Sequence, residues 1–336
     1  SYVIDLARGE IGVEKNPFYF LMYVSFFPQL IAGPIVRFQT IQDEIRNRQV
    51  TLELFSSGIG RFVTGLGKKV LLANTLAEFH KELAGAPTTV LSLWLVALAF
   101  TLQIYFDFSG YSDMAIGLAY LFGIRIPLNF NSPYKSLNVI DFWRRWHMTL
   151  GHWMRDYLYI PLGGNKVSKP RLYFNLWVVF LISGLWHGAA WNFVVWGAFH
   201  GFFLIADRMF LIKLTKPLGK FTNIILTYFI TLIGWVLFRA DTLGYAFQYI
   251  KRMFAFDGVK TSLWLDAKFN TILVIGAIFA FIAAFGKIES WWMNVLNKPK
   301  SNTVTILLIF VSVIFTMICI GAITSSSFNP FIYFRF

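Results

Sequence analysis

The chain is short of charge and almost without cysteine. Only 14% of its 336 residues are Asp, Glu, Lys or Arg, against roughly 25% in an ordinary soluble domain. That scarcity excludes a disordered polyelectrolyte and argues against a water-soluble enzyme. One cysteine, Cys319, rules out an intrachain disulfide, and no paired Cys/His framework for a metal stands in the sequence. A Walker A sequence is missing, because Gly65-Leu66-Gly67-Lys68-Lys69 lacks the spacing and the hydroxyl. The serine nucleophile elbow, the dinucleotide fingerprint and nucleic-acid modules are missing too. Acids are scarcer than bases, 17 against 30, giving a formal charge of +13. The bases fall in short clusters between long uncharged runs, which is the pattern of cytoplasmic loops rather than of a nucleic-acid surface.

What is present is apolar: 57% hydrophobic residues, with 37 Phe, 14 Tyr and 12 Trp, at a mean hydropathy of +0.59. Uncharged stretches at Leu83–Phe106, Leu172–Ala206, Phe221–Phe238, Phe269–Gly286 and Ser301–Phe334 are each long enough for a helix of about 20 residues across a bilayer. Leu172–Ala206 would make a helix of about 52 Å against a hydrocarbon core of about 30 Å, so it folds back near His187–Asn192. Asn16–Val36 carries Pro17, Pro28 and Pro34 and reads as a broken or re-entrant segment. Phe108–Ile124 would be a further span but for Asp113. Leu52–Phe79, Val139–Ile160 and Thr242–Phe254 read as amphipathic helices at the interface or dipping into the bundle. The expectation is an all-α, polytopic integral membrane protein of about seven or eight segments, a single domain over 1–336. The start at Ser1, with no early span, points to N-terminal spans outside this numbering. Lys166, Lys169 and Arg171 before one span, and Lys213, Lys216 and Lys220 after the next, place both clusters in the cytoplasm. The His187 turn and the C-terminus then face outward.

Polar side chains at membrane depth are costly, so each is either functional or paired. His147 lies on a predicted helical face with Trp143, Leu150, Gly151, Met154 and Leu158, opposite Arg145, His152 and Asp156. That face suits a core imidazole bonded to a backbone carbonyl as well as it suits a functional one. His187, in Ser183-Gly184-Leu185-Trp186-His187-Gly188, has no acidic neighbour within 35 uncharged residues. It reads as a helix-end histidine or as a general base, since imidazole titrates near neutrality. His200 reads as packing, and His80, beside Lys81 and Glu82, as a surface residue. Asp107 and Asp113 are expected to pair with arginines such as Arg125, Arg144 or Arg145, or else to line an ion path.

Three stretches carry a resemblance. They are Tyr23-Val24-Ser25-Phe26-Phe27-Pro28-Gln29-Leu30-Ile31-Ala32-Gly33-Pro34-Ile35, then Asp141-Phe142-Trp143-Arg144-Arg145-Trp146-His147 through Tyr157-Leu158-Tyr159-Ile160-Pro161-Leu162-Gly163-Gly164, and Gly184-Leu185-Trp186-His187-Gly188-Ala189-Ala190-Trp191. Together they resemble the membrane-bound O-acyltransferase (MBOAT) family, in its alginate O-acetyltransferase branch. The resemblance implies an MBOAT-like helical bundle with re-entrant and interfacial helices in a bacterial inner membrane. It makes His187 the catalytic base and His147 the second histidine, with Asp113, Arg144, Arg145, Trp186 and Asn192 as substrate-binding or supporting residues. It also implies acetyl-CoA as donor substrate, no bound cofactor or metal, and an exported polysaccharide acetyltransferase or polymer-synthesis complex as partner. Membrane lipid surrounds the chain and nucleic acid has no place. The aromatic ending at 328–336 reads on composition as an interfacial anchor. By resemblance its Tyr333 is a candidate acyl carrier between the membrane enzyme and its exported partner. Two rivals stay open at this stage: a transporter or channel for a small anion or lipid, motivated by Asp107, Asp113 and the proline-broken segment, and a lysophospholipid acyltransferase.

Overall fold

The computed structural model describes residues 1–78, 89–255, 267–287, 302–325 and 331, and among these every regular element is helical. The helices that position the site are, in chain order, α1 (Pro17–Val24), α2 (Leu52–Gly67), α3 (Val90–Leu121), α4 (Val139–Trp143), α5 (Met148–Met154), α6 (Lys169–His187), α7 (Trp191–Ala206), α8 (Lys220–Arg239), α9 (Leu243–Met253), α10 (Ala267–Phe281) and α11 (Asn302–Ser325). Helix α3 is the axis of the bundle. It begins with a reciprocal cap, in which the Thr89 hydroxyl accepts from the Ser92 amide at 3.1 Å and the Ser92 hydroxyl accepts from the Thr89 amide at 2.9 Å. It then runs 32 residues, about 48 Å.

This single helix replaces the two segments expected at Leu83–Phe106 and Phe108–Ile124. The acids at 107 and 113 do not interrupt it, because α2 lies antiparallel against it and supplies their counter-charges. Asp113 accepts from Arg61 at 2.9 and 3.0 Å and from Lys68 at 2.6 Å, and Asp107 holds Lys69. The expected arginines are elsewhere: Arg125 pairs with Glu44, Arg145 with Asp141, and Arg144 is exposed. Of the two placements expected for Leu52–Phe79, α2 takes the one inside the bundle. A Cβ on Gly58 would sit 2.7 Å from the Gly117 oxygen, and one on Gly65 2.5 Å from the Gly110 oxygen. The two helices therefore approach backbone to backbone at two matched glycine pairs, as small residues allow in a membrane. A π-helical stretch at Lys68–Ala73 continues α2.

The amphipathic helix expected over Val139–Ile160 is three pieces: α4, α5 and a π turn at Arg155–Tyr159. The break falls at His147, whose φ is +44°. His147 and Trp143 therefore share no helical face, and the helical-wheel argument for His147 does not hold. The stretch 172–206 does fold back, as α6 and α7 with Gly188 between them. These helices also cross closely, a Cβ on Gly184 meeting the Phe193 oxygen at 2.3 Å and one on Gly197 the Phe180 oxygen at 2.3 Å. Helix α8 returns to the His187 end, where the Asn192 amide donates to the Ala240 oxygen at 2.9 Å. The Thr242 hydroxyl caps α9, accepting from the Tyr245 amide at 3.2 Å. In the proline-broken segment, α1 gives way to a short 3-10 turn at Phe27–Gln29.

Among the described residues four stretches are long and apolar enough to cross a membrane: Val90–Leu121, Trp191–Leu218, Lys220–Arg239 and Ala267–Ala284. The expectation of seven or eight is for the whole chain; α6 also pairs with α7 along its length, and Ile309–Ser325 is a shorter apolar helix. Helix α11 exposes Ile309, Phe310, Met317 and Ile320, a surface that suits lipid rather than water. The aromatic core lies inside this ring of helices, with Phe108, Tyr134, Phe142, Trp146, Trp196 and Trp235 all buried.

Candidate active site

His147 is placed by its backbone before its side chain. The left-handed conformation costs a β-substituted residue energy that the surroundings must repay. Asn129 does so. Its backbone oxygen accepts from the Met148 amide at 2.9 Å, and its side-chain oxygen accepts from the Thr149 amide at 3.3 Å. One residue from a separate segment thus satisfies two otherwise orphaned amides at the start of α5. The same Oδ1 lies 2.9 Å from the His147 Nδ1 and 2.9 Å from the Thr149 hydroxyl, while the Asn129 amide nitrogen donates to Ser112 at 3.1 Å. The Thr149 amide is an unambiguous donor, so the atom facing it is the carbonyl oxygen. His147 must then donate from Nδ1, which leaves Nε2 without a proton in the neutral ring. Phe108 packs edge-on against that ring at 4.7 Å between centroids.

His187 ends α6 and is half-buried. Its ring is packed edge-on by Trp186 at 4.9 Å, Trp196 at 5.2 Å and Phe238 at 5.2 Å. Trp186 also lies 6.3 Å from the His147 ring, so a single half-exposed indole joins the two imidazoles. A cavity with space for about one water molecule touches His187 and is lined by Ile104, Trp146, Trp196, Trp235 and Phe238. The arrangement offers a histidine in an aromatic, largely apolar enclosure, with a second imidazole held in one tautomer close by. Such a pair can take up and return a proton during attack on a carbonyl.

The structure brings together His187, His147 and Trp186 from the expected set. The others have partners of their own or are exposed. Asp113 is held by Arg61 and Lys68, Arg145 by Asp141, Arg144 faces outward, and Asn192 ties α7 to the end of α8. Lys68 and Lys69 are likewise engaged by acids within the bundle. Tyr333 and His80 lie outside the described residues. His200 is fully buried against Trp143, Trp196 and Phe199. Among the described residues no three His, Cys, Asp or Glu side chains converge on a metal site. The residue that sequence reasoning overlooked is Asn129. Its signal was the polar cluster Asn129-Phe130-Asn131-Ser132-Pro133, unusual between apolar segments and rich in residues that bond backbone amides.

Aromatic walls round one imidazole and a fixed tautomer of another, inside an all-helical apolar bundle, make this the candidate site for proton transfer. The chain belongs to the membrane-bound O-acyltransferase family, which it matches over residues 10–247. It is an acyltransferase, and the transporter reading falls away. Among similar proteins, the probable alginate O-acetylase AlgI of Pseudomonas putida is 38% identical over all of this chain and 72% of its own length. That of Pseudomonas aeruginosa is 45% identical over 85% of this chain and 56% of its own. The peptidoglycan O-acetyltransferase of Helicobacter pylori is 42% identical over 71% of this chain and 47% of its own length. The chain therefore spans roughly half to three quarters of these relatives.

Proposed function

We propose that this chain moves acetyl groups from cytoplasmic acetyl-CoA across a bacterial inner membrane, which it crosses several times, for O-acetylation of an extracytoplasmic polysaccharide such as alginate or peptidoglycan. The observation that carries the reading is the His147–Trp186–His187 grouping beside a cavity, in a chain whose relatives are named O-acetylases. The α6–α7 hairpin supports the orientation, because both basic clusters fall at one end of it and His187 at the other.

In the proposed step His187 takes the proton of an acceptor hydroxyl as the oxygen attacks the thioester carbonyl. The new C–O bond forms, the C–S bond breaks, and the departing CoA thiolate recovers the proton from the imidazolium. His147, with Nε2 free of a proton, orients the acceptor. The first acceptor is Tyr333, because a phenol with pKa near 10 is more readily activated than a sugar alcohol and its ester is a better donor in the next transfer. An exported transferase then passes acetyl to the polymer, so CoA itself need not cross. The relatives' names favour acetyl over long-chain acyl donors, which sets lysophospholipid acylation second. Tyr333→Phe tests the relay: acetyl content of the polymer is expected to fall to background while the protein inserts normally, and normal acetylation overturns it.

A further inference from the structure

When a hydroxyl oxygen attacks a thioester carbonyl, the carbonyl π pair moves onto its own oxygen, and the charge there is stabilised by hydrogen-bond donors fixed in place beforehand. Neither histidine supplies that donor: His187 acts as base, and the Nε2 of His147 carries no proton. Besides His187, the cavity is walled by Ile104, Trp146, Trp196, Trp235 and Phe238, so the donors among these side chains are indole N–H groups. Trp196 is 1% exposed, and its Nε1 is buried without a hydrogen-bond partner. A buried donor left unpaired is costly and uncommon. An acceptor is close by and goes unused. His200, one turn further along α7, packs on the Trp196 ring at 5.2 Å between centroids, and neither of its nitrogens has a partner. On its other side the Trp196 ring stands 5.2 Å from that of His187 and nearly perpendicular to it. Trp235 stacks on Trp196 at 6.3 Å, and its own indole lies by the Tyr134 hydroxyl.

We propose that Trp196 is a catalytic residue whose indole N–H donates to the thioester carbonyl oxygen and to the oxyanion that it becomes. The acceptor oxygen bonds to the carbonyl carbon, and the displaced π pair rests on the oxygen held by Nε1–H. Return of that pair expels the CoA thiolate as the C–S bond breaks, while the acceptor's proton passes to His187 and from it to the thiolate. Trp196 neither gains nor loses a proton. The cavity has space for about one water molecule, which suits a single carbonyl oxygen. Stacking on Trp235 and packing on His200 hold the ring before substrate arrives, and the apolar walls keep away water that would weaken the bond. The proposal rests on the reading of this site as one that acylates a hydroxyl with His187 as base, and it holds whichever hydroxyl accepts.

The test uses the full chain in native membranes. Trp196→3-benzothienylalanine keeps the bicyclic ring and puts sulfur where the N–H was. CoA release from acetyl-CoA is followed per molecule of folded chain, with label on the polymer as a second readout. Loss of the donor is expected to lower kcat about 100-fold, with KM for acetyl-CoA within about twofold, because the bond strengthens as charge develops on the oxygen. Trp196→Phe also lacks the N–H and carries the same expectation if the sulfur analogue is not recovered folded. Trp196→5-fluorotryptophan keeps the donor and should hold kcat within about twofold. The control is Trp143→3-benzothienylalanine, since the Trp143 N–H is likewise buried and unpartnered but its ring does not line the cavity; kcat should again stay within about twofold. An unchanged kcat without the Trp196 N–H overturns the proposal, and so does an equal loss at Trp143, which would make the effect one of packing. In either case, CoA release by the original chain well above that of His187→Ala leaves the reading of the site intact. Release no greater than that of His187→Ala overturns that reading and the oxyanion donor with it.

Discussion

Replacing Asn129 probes the site without touching either histidine. In Asn129→Leu the His147 Nδ1–H and the Thr149 amide both lose Oδ1, at 2.9 and 3.3 Å. Each buried donor left unsatisfied costs about 1–3 kcal/mol. The hydroxyls of Thr149 and Ser112 rotate towards other acceptors, so the loss concentrates on the ring and on the start of α5. A total of about 2–6 kcal/mol follows, enough to release His147 from its left-handed backbone and from its fixed tautomer. Asn129→Asp is the matched control, because a carboxylate still accepts from Nδ1, from the amide and from both hydroxyls. The assay is label passed from radioactive acetyl-CoA to polymer, normalised to the folded chain recovered from membranes. Asn129→Leu is expected to lower the rate at least tenfold per molecule, a change equal to about 1.4 kcal/mol, with Asn129→Asp well above it. If Asn129→Leu transfers normally, or if the two variants fall together, Asn129 does not act through the imidazole.

The packing makes its own predictions. Gly65→Val drives a Cβ against the Gly110 oxygen at 2.5 Å and the Met114 nitrogen at 2.7 Å, both backbone, and is expected to abolish recovery of folded protein. Gly60→Ala meets nothing within 4 Å and should be neutral or stabilising in thermal unfolding in detergent. Asp107→Asn strips the counter-charge from buried Lys69 and should cost about 3–5 kcal/mol, visible as a lowered unfolding midpoint. The double change Lys69→Met with Asp107→Leu should recover most of that loss, and failure to recover it would contradict the assignment of the cost to an unpaired charge.

The sequence was readable where one property dominates. The uncharged runs become α7, α8, α10 and α11, and the 35-residue run from Leu172 folds back at the histidine because no single helix of that length suits the bilayer. The prolines of 17–36 interrupt their segment as expected. Reading failed where a distant partner decides. Asp107 and Asp113 look like interruptions until α2 is laid against them with Arg61, Lys68 and Lys69. Likewise Val139–Ile160 has the apolar spacing of one helix, and nothing local announces that His147 takes φ +44°. That backbone is stable because Asn129, 18 residues earlier, caps the helix that follows. His187 was legible as an isolated imidazole in an uncharged run, but its aromatic walls come from α7 and α8, whose meeting is a property of the assembled bundle.

The most direct test of the account is transfer of radiolabel from acetyl-CoA to polymer in membranes carrying the original chain or His187→Ala at equal levels. The account predicts label on the polymer with the original and none above background with the variant, since no other described side chain occupies the same aromatic enclosure with a nitrogen able to take the acceptor's proton. Full labelling by His187→Ala contradicts it.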